Sequence, residues 1–569
     1  MARARWRALT LTAWAAGMGA CSEHSLPPAP SYPSAEKGAV VDDYFGTKVA
    51  DPYRWMEDLD SKPVADWVAA ENKLTFDYLA KLPLREHFRK RITELVNYPK
   101  VSIPELEGSR YFYSKNSGLQ KQRPVYMSAA LNGPQTMVID PNVLSPDGSI
   151  SMAVWAPSRD GRLLAYGLSQ GGADWRTLHV RDIDSSKDLA DEVRWMRFSG
   201  ISWTNDSKGF FYSRYPAPPL GKELEAALSG QAIFYHRVGT PQAEDRLIYS
   251  RADIPSWFIS GQVTEDGRYL MISVAKGADN NNRLYYADLG DPLRPNIGAA
   301  VKPLVEEDDA EFAVFGNQRS VLYLRSDRGA PNRRVVAIDI AHPAEANWKT
   351  IIPESKQAIE SVSLIGGRIV VQYLADVQSR ISLFGLDGSS QGEVPLPAAG
   401  AVFGISGRED KPEIFYDFSS PLYTDTVFVY DPSSRQLTSF EPAKPPIDAG
   451  LYETKELFAT SKDGTRVPFF LTWRKGQPLD GSHPTMLYGY GGFSISNLPS
   501  YNPDVPAWLE LGGVWVTANM RGGAEYGEAW HKAGALEKKQ NVFDDFIAVA
   551  EELIKAKYTS PERLAIKGE

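Results

Sequence analysis

Through the middle of the chain, polar turn residues and short apolar runs alternate with a repeat of their own. A turn followed by a strand of aromatic or β-branched residues appears as Gly108-Ser-Arg-Tyr-Phe-Tyr-Ser114, Gly161-Arg-Leu-Leu-Ala-Tyr166, Gly209-Phe-Phe-Tyr-Ser213 and Gly267-Arg-Tyr-Leu-Met-Ile-Ser273. Looser copies are Arg319-Ser-Val-Leu-Tyr-Leu-Arg325, Gly367-Arg-Ile-Val-Val-Gln-Tyr373 and Lys411-Pro-Glu-Ile-Phe-Tyr-Asp417. The copies are spaced at roughly 50 residues, in the range of propeller blades. Most are followed by a partner strand closing on Asp: Thr177 to Asp182, Arg283 to Asp288, Arg334 to Asp339 and Thr426 to Asp431. Strand pairs joined by Asp, Gly, Asn and Ser turns are antiparallel hairpins. The count and spacing predict a seven-bladed β-propeller over 99–445. A multi-sheet sandwich is the alternative, and it does not account for the even spacing.

The flanks read as α/β. A helix is predicted from Ser61, which can cap it, with Pro63 in its first turn and Val64, Trp67, Val68, Leu74 and Tyr78 on one face. Beyond the repeats, Arg466 to Trp473, Pro484 to Tyr488 and Gly513 to Ala518 are apolar strand candidates. Asn541 to Lys555 reads as an amphipathic helix with Phe543, Phe546, Ile547, Ala550, Leu553 and Ile554 as its buried stripe. Asp544 and Asp545 lie in its first turn, where the helix dipole favours anions. Leu564 to Lys567 follows as a strand expected to be buried. Strand, helix, strand builds a parallel sheet.

The 569 residues carry a formal net charge of -9, which argues against a nucleic-acid binder. One Cys excludes an intrachain disulfide and a Cys-rich zinc site. That residue, Cys21, follows a secretory-type start. Arg3, Arg5 and Arg7 precede the apolar run Ala8 to Ala16, and Met18-Gly19-Ala20-Cys21 looks like a bacterial lipoprotein box. Residues 1–20 are thus expected to be a lipoprotein-type signal peptide, Cys21 the lipidation site, and 21–34 a flexible Pro/Ser-rich tether. An ordinary signal peptide with an incidental Cys21 is the alternative. The expected location is exported and periplasmic, with membrane contact only through that anchor.

Several longer motifs resemble the prolyl oligopeptidase family of serine peptidases. Asp51-Pro-Tyr-Arg-Trp-Met-Glu-Asp58 looks like its N-terminal signature, and Leu487-Tyr-Gly-Tyr-Gly-Gly-Phe493 like its loop after the first core strands. Asn519-Met-Arg-Gly-Gly-Ala-Glu-Tyr-Gly-Glu-Ala-Trp-His531, Lys539-Gln-Asn-Val-Phe-Asp-Asp545 and Tyr558-Thr-Ser-Pro-Glu-Arg-Leu564 follow in family order. The resemblance covers about residues 35–569. It implies a seven-bladed propeller at 99–445 inserted in an α/β-hydrolase domain made from 35–98 and 446–569. It implies cleavage of short peptides after proline by Ser-His-Asp chemistry, with the propeller as a size filter, no metal or cofactor, no nucleic-acid partner, and a monomer.

In the family register Gly568 is the first Gly of the G-x-S-x-G elbow and Glu569 its variable position. The nucleophile would be the next residue, with Asp and His later still. The 569-residue chain is therefore expected to lack the triad and to be inactive as it stands. Tyr490 matches the family's side-chain oxyanion donor and Phe493 its proline-pocket ring. Without the resemblance, Tyr490 would be a packing residue in a Gly-rich turn. Two complete G-x-S-x-G matches, around Ser169 and Ser390, lie between propeller strands and open no helix, so neither is expected to be a nucleophile. His531 precedes the elbow, whereas the triad His comes last, so it reads as structural. An oligopeptidase cleaving after Lys or Arg shares this architecture, and a non-catalytic peptide-binding propeller is the alternative from another class.

Overall fold

The computed structural model describes residues 31–568 apart from 220, 222, 224–226, 278–279 and 444–445. The segment expected to be a signal peptide and Cys21 lie outside the described residues. The chain divides into two compact units, residues 1–92 and 93–569.

In the first unit, Val41–Tyr44 and Thr47–Ala50 form a hairpin, and Arg54 in the Asp51-Pro-Tyr-Arg motif binds Asp51 at 2.5 Å and also Asp42. The predicted helix is α1 (Lys62–Leu79), with Ser61 at the N-cap position and Val64 buried. The Ser61 hydroxyl makes no capping bond, and Val68 turns out to solvent. Trp67 instead packs edge-on against Trp55, with centroids 6.5 Å apart.

In the second unit the repeat strands lie at Arg110–Asn116, Leu163–Gln170, Gly209–Arg214, Tyr269–Ala275, Val321–Ser326, Arg368–Ala375 and Ile414–Ser420. Each has an antiparallel neighbour on both sides. Both faces of each are covered by stacked sheets, which is why these strands read as nearly continuous apolar runs. The Asp that ends a partner strand accepts the N–H two residues on: Gly290 to Asp288 at 3.0 Å, Ala341 to Asp339 at 3.1 Å and Ser433 to Asp431 at 2.8 Å. These Asx turns carry the chain out of one hairpin arm into the next strand.

Successive sheets run from Lys100 to Phe440 as a β-propeller. Four of them have four strands each, within Phe258–Val305, Phe312–Ile352, Ala358–Val394 and Ala401–Phe440. The strand Lys187–Trp203 pairs with Arg176–Asp182 through its first part and with Gly209–Arg214 through its last, joining what precedes and follows into one seven-stranded sheet. Its bend has positive φ at Trp195 and Phe198. The first and last sheets meet through Tyr113, Phe415, Val427, Val429 and Phe440, which closes the ring with apolar packing rather than a shared strand. A 380 Å3 cavity is lined from several sheets, including Glu107, Arg159, Glu265 and Arg408. Arg408 of the last sheet pairs with Glu265 at 3.0 Å and Glu107 at 3.2 Å, so its loop is tied to other sheets at this cavity. Inside the seven-stranded sheet, buried His236 is held between Asp191 and Asp245.

After the propeller come β1 (Tyr452–Thr460), β2 (Arg466–Arg474), β3 (Thr485–Gly489), α2 (Asp504–Glu510), β4 (Val514–Ala518), α3 (Glu528–Lys532), α4 (Gln540–Lys555) and β5 (Leu564–Gly568). The sheet order is β1-β2-β4-β3-β5, with β3 parallel to both β4 and β5. It is the beginning of an α/β-hydrolase sheet. β1 is absent from the apolar runs in the sequence because its first half, Glu453 to Glu456, is polar, on an edge strand paired only with β2.

The buried face of α4 is turned about one residue from the predicted stripe. Val542, Asp545, Ala548, Val549 and Leu553 are buried, whereas Phe543 and Ile547 are exposed. Asp545 belongs to that buried face, its carboxylate bound by Arg521. Among the described residues β5 pairs with β3 alone, and Ile566 is 67% exposed.

Candidate active site

β3 and β5 run parallel with Gly489 directly opposite Gly568. In open α/β sheets, ligands bind beyond the carboxyl ends of the strands where the order reverses. The chain leaving β3 there is Tyr490-Gly-Gly-Phe493. Tyr490 is half-buried, and its hydroxyl takes no hydrogen bond from the described residues.

The loop is held by its neighbours. Lys539 Nζ donates to the Gly491 carbonyl at 2.7 Å. Gly491 has φ +66°, and a Cβ on it would lie 2.4 Å from Val542 Cγ1. Gly522, at φ +94°, backs onto it so closely that its own Cβ would sit 2.6 Å from the Gly491 oxygen. Only glycine fits either position. Phe493 and Ser494 follow in the left-handed region at φ +53° and +56°. Such a conformation costs on the order of 1–2 kcal/mol per non-glycine residue and persists where surrounding bonds over-determine it. Those bonds are Ser494 N–H to Gly522 O at 3.0 Å, Ile495 N–H to Gly492 O at 3.0 Å and Asn497 N–H to Glu525 Oε1 at 2.8 Å. The Phe493 ring projects outward, 74% exposed. The structure thus brings Tyr490 and Phe493 into one loop but does not enclose Phe493 in a pocket.

Arg521 anchors the segment behind this loop. Its guanidinium is buried, donating to Asp545 through Nε at 2.9 Å and Nη2 at 2.6 Å, and to Asp463 through Nη1 at 2.5 Å. Its backbone N–H also donates to Asp545 at 3.0 Å. These charge-assisted bonds tie α4 and the β1–β2 turn to Gly522, and they hold the Asp463 carboxyl well below the usual carboxylate range. Glu525 is buried with Asn519 Nδ2 donating to it at 3.2 Å, and burial pushes its carboxyl up to about 7. The motifs containing Arg521, Glu525 and Lys539 are visible in the sequence, but these supporting contacts depend on tertiary placement.

The decoy serines are far from such a setting. Ser169 is buried in the strand Leu163–Gln170 and bonds the Ala173 carbonyl. Ser390 starts the strand Ser390–Val394. Neither precedes a helix. His531 Nδ1 lies 2.9 Å from the Gly522 carbonyl, supporting the turn. Among the described residues no group of three or more His, Cys, Asp or Glu is arranged to hold a metal ion.

Residues 32–442 match the family described as prolyl oligopeptidase, N-terminal beta-propeller domain, and residues 499–569 match the prolyl oligopeptidase family. The prolyl endopeptidase of Elizabethkingia meningoseptica is 36% identical over 537 residues, 94% of this chain and 75% of that protein. The chain belongs to the prolyl oligopeptidase family. Solved structures of the family agree in fold. One, from a structural and mechanistic study of two prolyl endopeptidases, has a TM-score of 0.88 at 36% identity, covering 95% of this chain and 78% of that one. Another is prolyl oligopeptidase B of Galerina marginata bound to a 35mer hydrolysis and macrocyclization substrate, with a TM-score of 0.87 at 32% identity over 95% of this chain and 79% of that one. Within this prolyl oligopeptidase fold, the Tyr490 loop occupies the carboxyl end of β3 beside β5.

Proposed function

We propose that this chain is the propeller and first hydrolase segment of a serine endopeptidase that hydrolyses short peptides on the carboxyl side of proline. The observation that carries the reading is the pairing of Gly489 with Gly568, which brings the chain leaving β3 at Tyr490 and the chain leaving β5 to the same end of the sheet. In that arrangement the serine attacks the scissile carbonyl, His and Asp from beyond Glu569 carry and orient the proton, and Tyr490 donates to the oxyanion. Phe493, an exposed ring on a strained backbone, supports a role in contacting the substrate proline, where apolar rings pack face to face. We further take the propeller as seven blades over 99–445, counting the seven-stranded sheet as two blades sharing Lys187–Trp203. The hydrolase domain is then built from 35–98 and 446–569. The cavity ion-paired around Arg408 supports a filter that admits peptides and turns folded proteins away.

The test is a panel of chromogenic amides. A chain running on past Glu569 hydrolyses the Gly-Pro amide in preference to Gly-Lys or Gly-Arg, and the 569-residue polypeptide turns over none. A preference for the basic amides overturns the specificity. Turnover by the 569-residue polypeptide that disappears in Ser169→Ala or Ser390→Ala overturns the placement of the nucleophile.

We also propose export with lipid attachment at Cys21, which supports a periplasmic enzyme held off a membrane by its Pro/Ser-rich tether. Expressed in a bacterium, the Cys21→Ser protein loses acyl labelling and leaves the membrane fraction. Unchanged labelling and fractionation leave only an ordinary secretory signal.

A further inference from the structure

The polar support of the loop after β3 is uneven. Beyond Phe493 the backbone is fastened by Ser494 N–H to Gly522 O at 3.0 Å, with His531 Nδ1 also 3.1 Å from that nitrogen, and by Ile495 N–H to Gly492 O at 3.0 Å. Before Phe493, among the described residues, one side chain bonds the backbone of 490–492: Lys539, whose Nζ donates to the Gly491 carbonyl at 2.7 Å. The other supports on that side are contacts of shape. A Cβ on Gly489 would lie 2.5 Å from Met520 Cε and 2.9 Å from Phe546 Cε2. One on Gly522 would lie 2.6 Å from Gly491 O, 3.0 Å from the Gly491 carbonyl carbon and 3.4 Å from Gly492 N, so Gly522 lies against the Gly491–Gly492 peptide. Such packing limits how closely the loop approaches but is not directional. Glycines at 489, 491 and 492 leave the backbone on both sides of Tyr490 free to turn. A hydrogen bond to the Gly491 carbonyl supplies the missing direction.

The start of α4 does not account for Lys539. The residue stands at the N-cap position, its side chain makes no capping bond, and an ammonium has no acceptor with which to make one. A cation there faces the positive end of the helix dipole. Among the described residues its ammonium is in no ion pair, so no carboxylate explains its place either. Its geometry points to Tyr490 instead. A Cβ on Gly492 would have Lys539 Nζ at 3.8 Å and Tyr490 Cε1 at 4.0 Å, so the ammonium and the phenol ring flank the same glycine.

We propose that Lys539 is a positioning residue for Tyr490: its ammonium clamps the Gly491 carbonyl and so holds the phenol in place for the oxyanion of a peptide substrate. The role given to Tyr490 rests on the peptidase reading above, whereas the clamp stands on the contacts of the loop alone. Lys539 acts through the loop backbone and not on the substrate. Its contribution therefore appears where the Tyr490 hydroxyl bond matters, as charge develops on the substrate oxygen, and hardly at all in substrate binding.

Lys539→Met tests it, because it keeps an unbranched side chain and removes the donor at an exposed position. In the 569-residue chain, hydrogen–deuterium exchange read by mass spectrometry should quicken about tenfold in peptides covering 490–495, with the far half of α4 unchanged. In the chain that runs on past Glu569, kcat on the Gly-Pro amide should fall by about tenfold or more and KM should change by less than about twofold. A double-mutant cycle separates positioning from a general structural role. Placed on Tyr490→Phe, Lys539→Met should lower kcat by less than about a further twofold, because the group it positions is already gone. Unchanged exchange overturns the clamp. An unchanged kcat, a loss confined to KM, or two losses that multiply in full overturns the positioning role. Absence of turnover in the unsubstituted longer chain sinks the peptidase reading instead, and the exchange result still decides the clamp.

Discussion

Tyr490→Phe, in a chain that carries the elbow serine, lowers kcat by roughly 10- to 1000-fold and leaves KM nearly unchanged. The substitution keeps the ring, so the packing of the loop between Gly489 and Gly491 is preserved. The hydroxyl has no hydrogen bond among the described residues, so the resting protein loses no such contact. What disappears is a donor for the negative charge that develops on the substrate oxygen, commonly worth about 3 kcal/mol in the transition state. Amides, whose poor leaving groups make formation of the tetrahedral species limiting, lose more than activated esters. Steady-state kinetics on matched amide and ester substrates measure the difference. A raised KM with kcat unchanged would make Tyr490 a binding residue and remove it from the oxyanion site.

The repeat was legible because each of its strands has both faces covered by neighbouring sheets. Gly209 to Ser213 and Arg334 to Asp339 could be read almost to the residue, since continuous apolar runs closed by Gly and Asp leave little choice of period. β1 was not legible because an edge strand tolerates the polar run Glu453 to Glu456. The face of α4 departs from the apolar stripe for a different reason. Hydrophobic periodicity leaves Asp545 out of the stripe, yet Asp545 is fully buried against a bidentate arginine. At the candidate site, Tyr490 and Phe493 came from motif resemblance. The strain at Phe493, the Lys539 anchor and the burial of Glu525 follow from segments far apart in sequence. No local pattern encodes which charge will face which, so buried electrostatics is where a single sequence says least.

His236 illustrates the same point and gives the largest expected loss of stability. It has no exposed surface. Nδ1 lies 2.7 Å from Asp245 Oδ1 and Nε2 lies 3.0 Å from Asp191 Oδ1. The two carboxylates are held in turn by Tyr212 Oη at 2.6 Å from Asp245 and the Gly239 N–H at 2.6 Å from Asp191. With an acceptor at each ring nitrogen, the imidazole is held as a cation: burial opposes the charge, but the two aspartates prevail and push its pKa up to about 9. His236→Leu leaves two buried carboxylates with no charge between them. Breaking a buried ion pair in this way costs about 3–5 kcal/mol. Urea unfolding followed by tryptophan fluorescence should show the propeller transition at a clearly lower midpoint. The pH dependence separates this from a simple packing defect. Because the folded pKa lies above the ordinary value of 6.5, the stabilisation is complete below that value and is lost as the pH rises through about 9. The unsubstituted protein should therefore weaken towards alkaline pH, and the gap between it and His236→Leu should narrow there. A gap that stays constant across that range would mean that His236 contributes only its volume, and that the ring is neutral between its two aspartates.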